Sequence, residues 1–422
     1  MMRVDMLLRG LCGGLLAGLL LPGAAMADLS AAQARYDRNG DGALSREEAP
    51  PAVLRYFTET DADKSGGLTA EELDGLALHL TAERQGTPDP ALRTWLETQP
   101  AGFASIDAYM RRLVDELPLE GAGIFVSKAG RTIHQETFGI YDPQTVIPIA
   151  SASKWLTAAT IMTLVDEGLL DLDTPISAYW DEATGEAGRM TLRQMLSHTA
   201  GTGGSHLADQ PRDFTLEDSA RGALALPRSG PPGERFQYGG VSMQIAGYIA
   251  ERVSGKPWAE LFEERIAGPL GMERTWYGFA QKPEPRESVT NPILAAGVYS
   301  CLEDYAPFLL MLAADGVHDG KRVLSAAAVD EMMRDYADGG AGLGQRTSAS
   351  DPRGYGLGSW CDEMTPDGAC PVAQSGGAFG VSPRIDRRTD SVILLMTKDR
   401  MPMMRPYWGA IIAASEKLLA SE

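Results

Sequence analysis

The sequence predicts an α+β protein preceded by a small all-α module. Three observations predict it. A run with helical spacing at 105–117 leads into two strand-like segments at 123–127 and 132–139. Short turn-bounded segments at 373–374, 380–386 and 390–397 read as antiparallel strands ahead of a helix at 403–421. Between these blocks, 160–290 is mostly helical in pattern, and two acidic, glycine-punctuated repeats stand before everything else.

Composition sets the outer limits. The chain has 422 residues, 44% hydrophobic and 23% charged, which is ordinary for a globular protein of two or three domains. Its 38 basic and 57 acidic residues leave a net charge of −19. Nucleic acids are bound by neutralising phosphates with Lys and Arg, so this balance excludes a nucleic-acid partner.

The order of the elements follows from local chemistry. Residues 1–27 read as a secretory signal: Arg3 and Arg9, an apolar stretch from Leu11 to Leu21, and Ala25-Met26-Ala27 at the cleavage point. That stretch is shorter than the ~20 residues of a spanning helix. The mature chain is therefore expected to be periplasmic or secreted, without a membrane span. Signal removal leaves Cys301, Cys361 and Cys370. A local disulfide between Cys361 and Cys370 fits an oxidising compartment, although sequence leaves the pairing open.

Residues 28–80 read as an EF-hand pair. Asp37, Asn39, Asp41, Ala43, Ser45 and Glu48 recur as Asp61, Asp63, Ser65, Gly67, Thr69 and Glu72. In a twelve-residue calcium loop, positions 1, 3 and 5 give side-chain oxygens and position 7 a carbonyl. Position 9 acts directly or through water, and a glutamate closes the site. Gly42 and Gly66 occupy the sharp turn at position 6. Leu44 and Leu68 follow at matching positions, as paired loops require. Calcium is the expected structural ligand, at the ~0.1–1 mM affinity of extracellular sites. Residues 81–101, with Pro88, Pro90 and Pro100, read as a linker that packs on the next domain through 92–96.

Residues 102–422 hold the candidate chemistry. Ser151-x-x-Lys154 opens a helix, so serine and lysine share one face. A desolvated lysine there can activate the hydroxyl. As a bare pattern this is weak; its context is not. The string Ile149-Ala-Ser-Ala-Ser-Lys154, the block 191–201 (Thr-Leu-Arg-Gln-Met-Leu-Ser-His-Thr-Ala-Gly), 232–238 (Pro-Gly-Glu-Arg-Phe-Gln-Tyr), 247–272 ending Pro-Leu-Gly-Met, 296–300 (Ala-Gly-Val-Tyr-Ser) and Ser375-Gly-Gly377 occur in order. They resemble the serine-hydrolase family that includes class C β-lactamases, D-alanyl-D-alanine carboxypeptidases and β-lactamase-like carboxylesterases.

The resemblance implies one antiparallel sheet flanked by helices, a mainly helical lobe, and an active site between them. It implies Ser151 as the acylated nucleophile, Lys154 as its partner and Tyr238 as a proton shuttle. The third family motif falls on Gln374-Ser375-Gly376 as substrate-binding residues, with the N–H groups of Ser151 and Gly377 as oxyanion donors. Two departures stand out. Gly240 replaces the asparagine of Tyr-x-Asn, and Gln374 replaces the cation of the third motif. Both losses weaken recognition of β-lactams and peptide carboxylates and leave a neutral ester substrate possible. The expectation is an exported serine hydrolase acting through an acyl-enzyme on a small acyl substrate, with no cofactor for the chemistry. Alternatives are a non-catalytic, calcium-dependent binder of cell-wall fragments, and a β-lactamase or D-Ala-D-Ala carboxypeptidase. His198 reads as part of a structural turn. Trp360, Tyr299 and Phe379 read as core residues that can also line a cleft, and the glycine-rich 339–344 as a loop.

Overall fold

A computed structural model describes residues 37–49, 57–61, 64–69, 72–73, 95–96, 102–117, 119–202, 213–278, 285–337, 353–399 and 401–421. The expected export signal, Asp63, most of the linker and the 339–344 loop lie outside these residues. The chain divides into two compact units, Met1–Asp89 and Pro90–Glu422. Among the described residues no helix is long and apolar enough to cross a membrane.

In the first unit, β1 (Leu44–Ser45) pairs antiparallel with β2 (Gly67–Leu68), so the two leucines that the repeat aligns are cross-strand partners. Both are buried. Gly42 and Gly66 share a φ of 84°, in the left-handed region that glycine enters without steric cost. The two loops thus share the left-handed turn at position 6. Asp37 accepts from the N–H groups of Gly40 and Gly42, and Asp61 from Gly66. Glu48 accepts from the N–H groups of Arg38, Asn39 and Ser45 and from the Ser45 hydroxyl, which hold its carboxyl down at about 2. Among the described residues the acidic side chains form no three-membered metal cluster. The Oδ1 of Asp61 is buried with no hydrogen-bond partner among the described residues.

The second unit begins with α1 (Phe103–Glu116), whose buried Ile106, Tyr109, Met110, Leu113 and Val114 recur at helical spacing. Trp95 stacks on Tyr109 with ring centroids 5.9 Å apart, so this part of the proline-rich segment packs on the domain that follows. A tight turn at Ala129 and Gly130, both with positive φ, joins β3 (Gly121–Lys128) to β4 (Arg131–Gly139). The helical lobe contains α2 (Ser153–Asp166), α3 (Leu192–Leu196), α4 (Leu216–Ala225) and α5 (Val241–Ser254). Capping boxes at Thr191/Gln194 and Thr215/Asp218 start α3 and α4, satisfying backbone N–H groups that a helix leaves unpaired. α2 is buried on nearly every face because it runs through the core, with Trp155 and Leu156 fully inside. Each such side chain contributes about 2–3 kcal/mol.

After α6 (Leu302–Ala313) the chain forms β5 (Gly354–Tyr355), β6 (Trp360–Glu363), β7 (Val372–Gln374), β8 (Ser382–Asp386) and β9 (Ser391–Thr397), then α7 (Met401–Leu419). The sheet order is β5-β6-β7-β8-β9-β3-β4, antiparallel throughout. The last strand therefore lies beside the first hairpin, with Leu394 opposite Phe125. One face of the sheet packs on the helical lobe through Phe125, Ala373, Ile385, Val392 and Leu394. The other packs on α1 and α7 through Ile124, Val126, Ile393 and Leu395. Cys361 and Cys370 form a disulfide with Cα atoms 5.2 Å apart, closing a short loop and contributing roughly 3 kcal/mol by chain entropy. Cys301 is a free, buried thiol pushed up to about 12 by burial and by Asp304.

Candidate active site

The site is built around the start of α2. Ser151 sits in the 3₁₀ turn Ala150–Ala152, one turn ahead of Lys154. Ala150 has φ 48°, a conformation that an L-residue holds only when its surroundings impose it. They do so at three points. The Ser153 hydroxyl donates to the Ala150 carbonyl at 2.5 Å and accepts from the Val298 N–H at 3.0 Å. The Tyr305 hydroxyl donates to the Ala152 carbonyl at 2.9 Å. The block 296–300 thus buttresses the serine turn.

Lys154 is 3% exposed. Its Nζ donates to Ser151 Oγ at 3.1 Å and to the Ala295 carbonyl at 2.8 Å. The same nitrogen lies 4.8 Å from the ring centroid of Tyr238. The geometry thus brings Ser151, Lys154 and Tyr238 together, with the tyrosine's ring face toward the ammonium. The Tyr238 hydroxyl makes no hydrogen bond to a described residue.

Two expectations about the third motif need correction. Gln374 lies away from Ser151: its amide nitrogen donates to both oxygens of Asp362, at 2.7 and 2.8 Å. Its cross-strand partner Arg384 also bonds Asp362, and reaches Glu416 of α7 at 2.9 Å. The adjacent Ala373 belongs to the lobe-facing core. Parity along β7 therefore turns Ser375, not Gln374, toward Ser151. The Ser375 hydroxyl lies 3.3 Å from the Ser151 carbonyl and donates to the Gly358 carbonyl at 3.0 Å.

Gly377 is the second correction. Its N–H donates to the Val381 carbonyl at 2.7 Å and is not available to an oxyanion. The next N–H, that of Ala378 in the turn that follows, has no acceptor among the described residues; nor has that of Ser151. What Gly377 supplies is close approach. A Cβ there would lie 2.0 Å from the Ile149 carbonyl oxygen, two residues before Ser151.

Sequence alone does not join the aromatic residues that cluster here. His198 is buried, and its Nε2 pairs with the Tyr355 hydroxyl at 3.1 Å. Its ring meets those of Tyr238 and Tyr355, each at 4.8 Å. Burial, and then the Lys154 charge, push the imidazole well below its usual pKa, so it is neutral. It does not touch Ser151, in keeping with the structural turn. Trp360 stacks on Tyr238 with centroids 5.2 Å apart and belongs to the site; Tyr299 is buried against Trp276. The string Gly354-Tyr-Gly-Leu-Gly358 carried a readable signal. Gly358 has φ 83°, and a Cβ there would lie 2.5 Å from the Lys154 carbonyl.

The profile of the Beta-lactamase family matches residues 106–415. The chain belongs to this family. Its relatives include Esterase EstB of Burkholderia gladioli, 25% identical, with 70% of this chain and 90% of the relative covered. Penicillin-binding protein 4 of Amycolatopsis lactamdurans is 29% identical over 50% of this chain and 62% of its own length. A penicillin-binding protein homologue from Caulobacter crescentus shares the fold, with TM-score 0.61, 18% identity and coverage of 75% and 99%. The beta-lactamase fold thus accounts for the antiparallel sheet and flanking helices. Family members are serine hydrolases, esterases among them.

Proposed function

We propose that this beta-lactamase-family chain is an exported esterase that works through an acyl-enzyme on Ser151. The observation that carries the reading is the buried Lys154 ammonium, fixed by the Ala295 carbonyl and 3.1 Å from Ser151 Oγ. Ser151 Oγ attacks the ester carbonyl carbon. Its proton passes to Tyr238, acting as the phenolate beside the Lys154 ammonium, and from there to the departing alkoxide, which leaves as the alcohol and restores the phenolate. The N–H groups of Ser151 and Ala378 receive the oxyanion, an interaction worth about 3–4 kcal/mol per donor. Water then attacks the acyl-enzyme, releasing the acid and restoring Ser151. Similarity to Esterase EstB supports ester chemistry. The engagement of Gln374 by Asp362 disfavours carboxylate recognition, and with it the β-lactamase and carboxypeptidase alternatives.

The same reading includes export and calcium. The disulfide supports an oxidising compartment. The shared left-handed turn at Gly42 and Gly66 and the orphaned Asp61 Oδ1 support calcium in the N-terminal loops. Asp37, Asn39, Asp41, Ser45, Glu48 and the Ala43 carbonyl would hold one ion; Asp61, Asp63, Ser65, Thr69, Glu72 and the Gly67 carbonyl would hold the other.

The test is hydrolysis of a short-chain p-nitrophenyl ester by wild type and Ser151→Ala. Steady turnover, at least 1,000-fold lower in the variant with unchanged melting, supports the reading. Turnover near wild type in the variant removes Ser151 from the chemistry. No turnover by folded wild type shifts the assignment to the binding-protein alternative.

A further inference from the structure

We propose that Trp360, backed by Arg353, is the positioning residue that holds the Tyr238 ring over Lys154. This rests on the esterase reading above. Tyr238 needs such a device. It is 39% exposed, its hydroxyl makes no hydrogen bond to a described residue, and Gly239 and Gly240 follow it, so neither burial nor a stiff backbone fixes its ring. Aromatic contacts do. His198 meets the ring edge-on at 4.8 Å and Tyr355 at 5.8 Å, both tilted steeply. Among the described residues, only Trp360 lies against it nearly flat, at 5.2 Å and 27°.

Trp360 is itself fixed from several sides. Tyr355 packs against it at 4.9 Å and Phe236 at 5.9 Å, both edge-on. The Arg353 guanidinium carbon lies 4.7 Å from its ring centroid. Asp362 pairs with Arg353 at 3.3 Å and is anchored in turn by Gln374 and Arg384. The disulfide at Cys361 ties down the strand between Trp360 and Asp362. The result is a stack that runs Lys154, Tyr238, Trp360, Arg353. Cation–π attraction joins its outer members to the rings, and offset stacking joins the rings to each other. The glutamine at 374, which lies outside the catalytic contacts, thereby acquires a use: it braces the carboxylate that steadies the arginine behind the tryptophan.

Trp360→Leu removes the flat surface, and Trp360→Phe retains one. The experiment measures p-nitrophenyl ester kinetics per burst-titrated site, so that misfolded molecules are not counted, across pH 6–10. Trp360→Leu is expected to lower kcat at least tenfold with KM within threefold, and to reshape the basic limb of the pH profile. Trp360→Phe is expected to return kcat to within threefold of wild type. A purely structural role would reduce the number of titrated sites and leave kcat per site and the pH profile unchanged, which would overturn the proposal. If Trp360→Leu yields no titratable sites, Trp360→Met takes its place under the same criteria. Ser151→Ala run in parallel separates the layers: turnover surviving in that variant sinks the esterase reading, whereas turnover lost there but normal in Trp360→Leu sinks the positioning role alone.

Discussion

Adjacent glycines at 376 and 377 should respond to the same substitution in opposite ways. A Cβ on Gly377 would lie 2.0 Å from the Ile149 carbonyl oxygen, where contacts under 3.0 Å are essentially never seen. The strand end and the serine turn must therefore separate by about 1 Å. Both are backbone, so no flexible side chain absorbs the shift. Such a displacement between an oxyanion donor and a nucleophile can cost ~100-fold in rate, or about 2.7 kcal/mol of barrier. Overpacking should cost a further 1–3 kcal/mol or so of stability. On Gly376 the nearest atom would be 3.7 Å away, an ordinary contact. Gly377→Ala should thus lower ester kcat ~100-fold with a reduced melting temperature, while Gly376→Ala stays within threefold of wild type. The assay is initial-rate kinetics beside thermal unfolding. Normal kcat and melting in Gly377→Ala, or equal damage from both, would refute the steric reasoning.

Acid should weaken the fold through His198. Its folded-state pKa lies well below the unfolded value of about 6.5, so the unfolded chain binds the extra proton first. Stability is then fully present above that pH and falls as pH drops below it, by at most ~1.4 kcal/mol per unit. Urea unfolding between pH 7.5 and 5.5 should show this slope in wild type and a flatter one in His198→Asn; identical slopes would remove the histidine from the effect. Calorimetric titration of the full chain should detect calcium binding that Glu48→Gln combined with Glu72→Gln abolishes. At calcium a hundredfold above Kd, the linkage is worth about 2.7 kcal/mol to the unit that binds it. No heat in the wild type would dismiss the calcium assignment.

Much of this protein is legible locally. The spacing of Ile106, Tyr109, Met110, Leu113 and Val114 gives α1, and the turn at Ala129-Gly130 gives the β3–β4 hairpin, because helix and hairpin signals depend on neighbours a few residues away. Ser151 and Lys154 belong to the same class: one helical turn brings them together whatever surrounds them. Strand facing is different. Side chains alternate with period two, so a one-residue shift sends a whole set to the opposite face, and only pairing with neighbouring strands fixes which set faces where. The ladders to β6 and β8 put Ser375 rather than Gln374 beside Ser151, and the Gly377–Val381 bond takes up the Gly377 N–H. Tyr238, Trp360 and Arg353 lie more than a hundred residues apart at their extremes, and no local pattern joins them. The sequence by itself determined the helix at α1, the hairpin and the pairing of Ser151 with Lys154, since each is closed by short-range contacts. The tertiary structure alone decided which third-motif side chain lies beside Ser151 and which aromatic rings gather around Lys154, since those depend on strand register and on packing between distant segments.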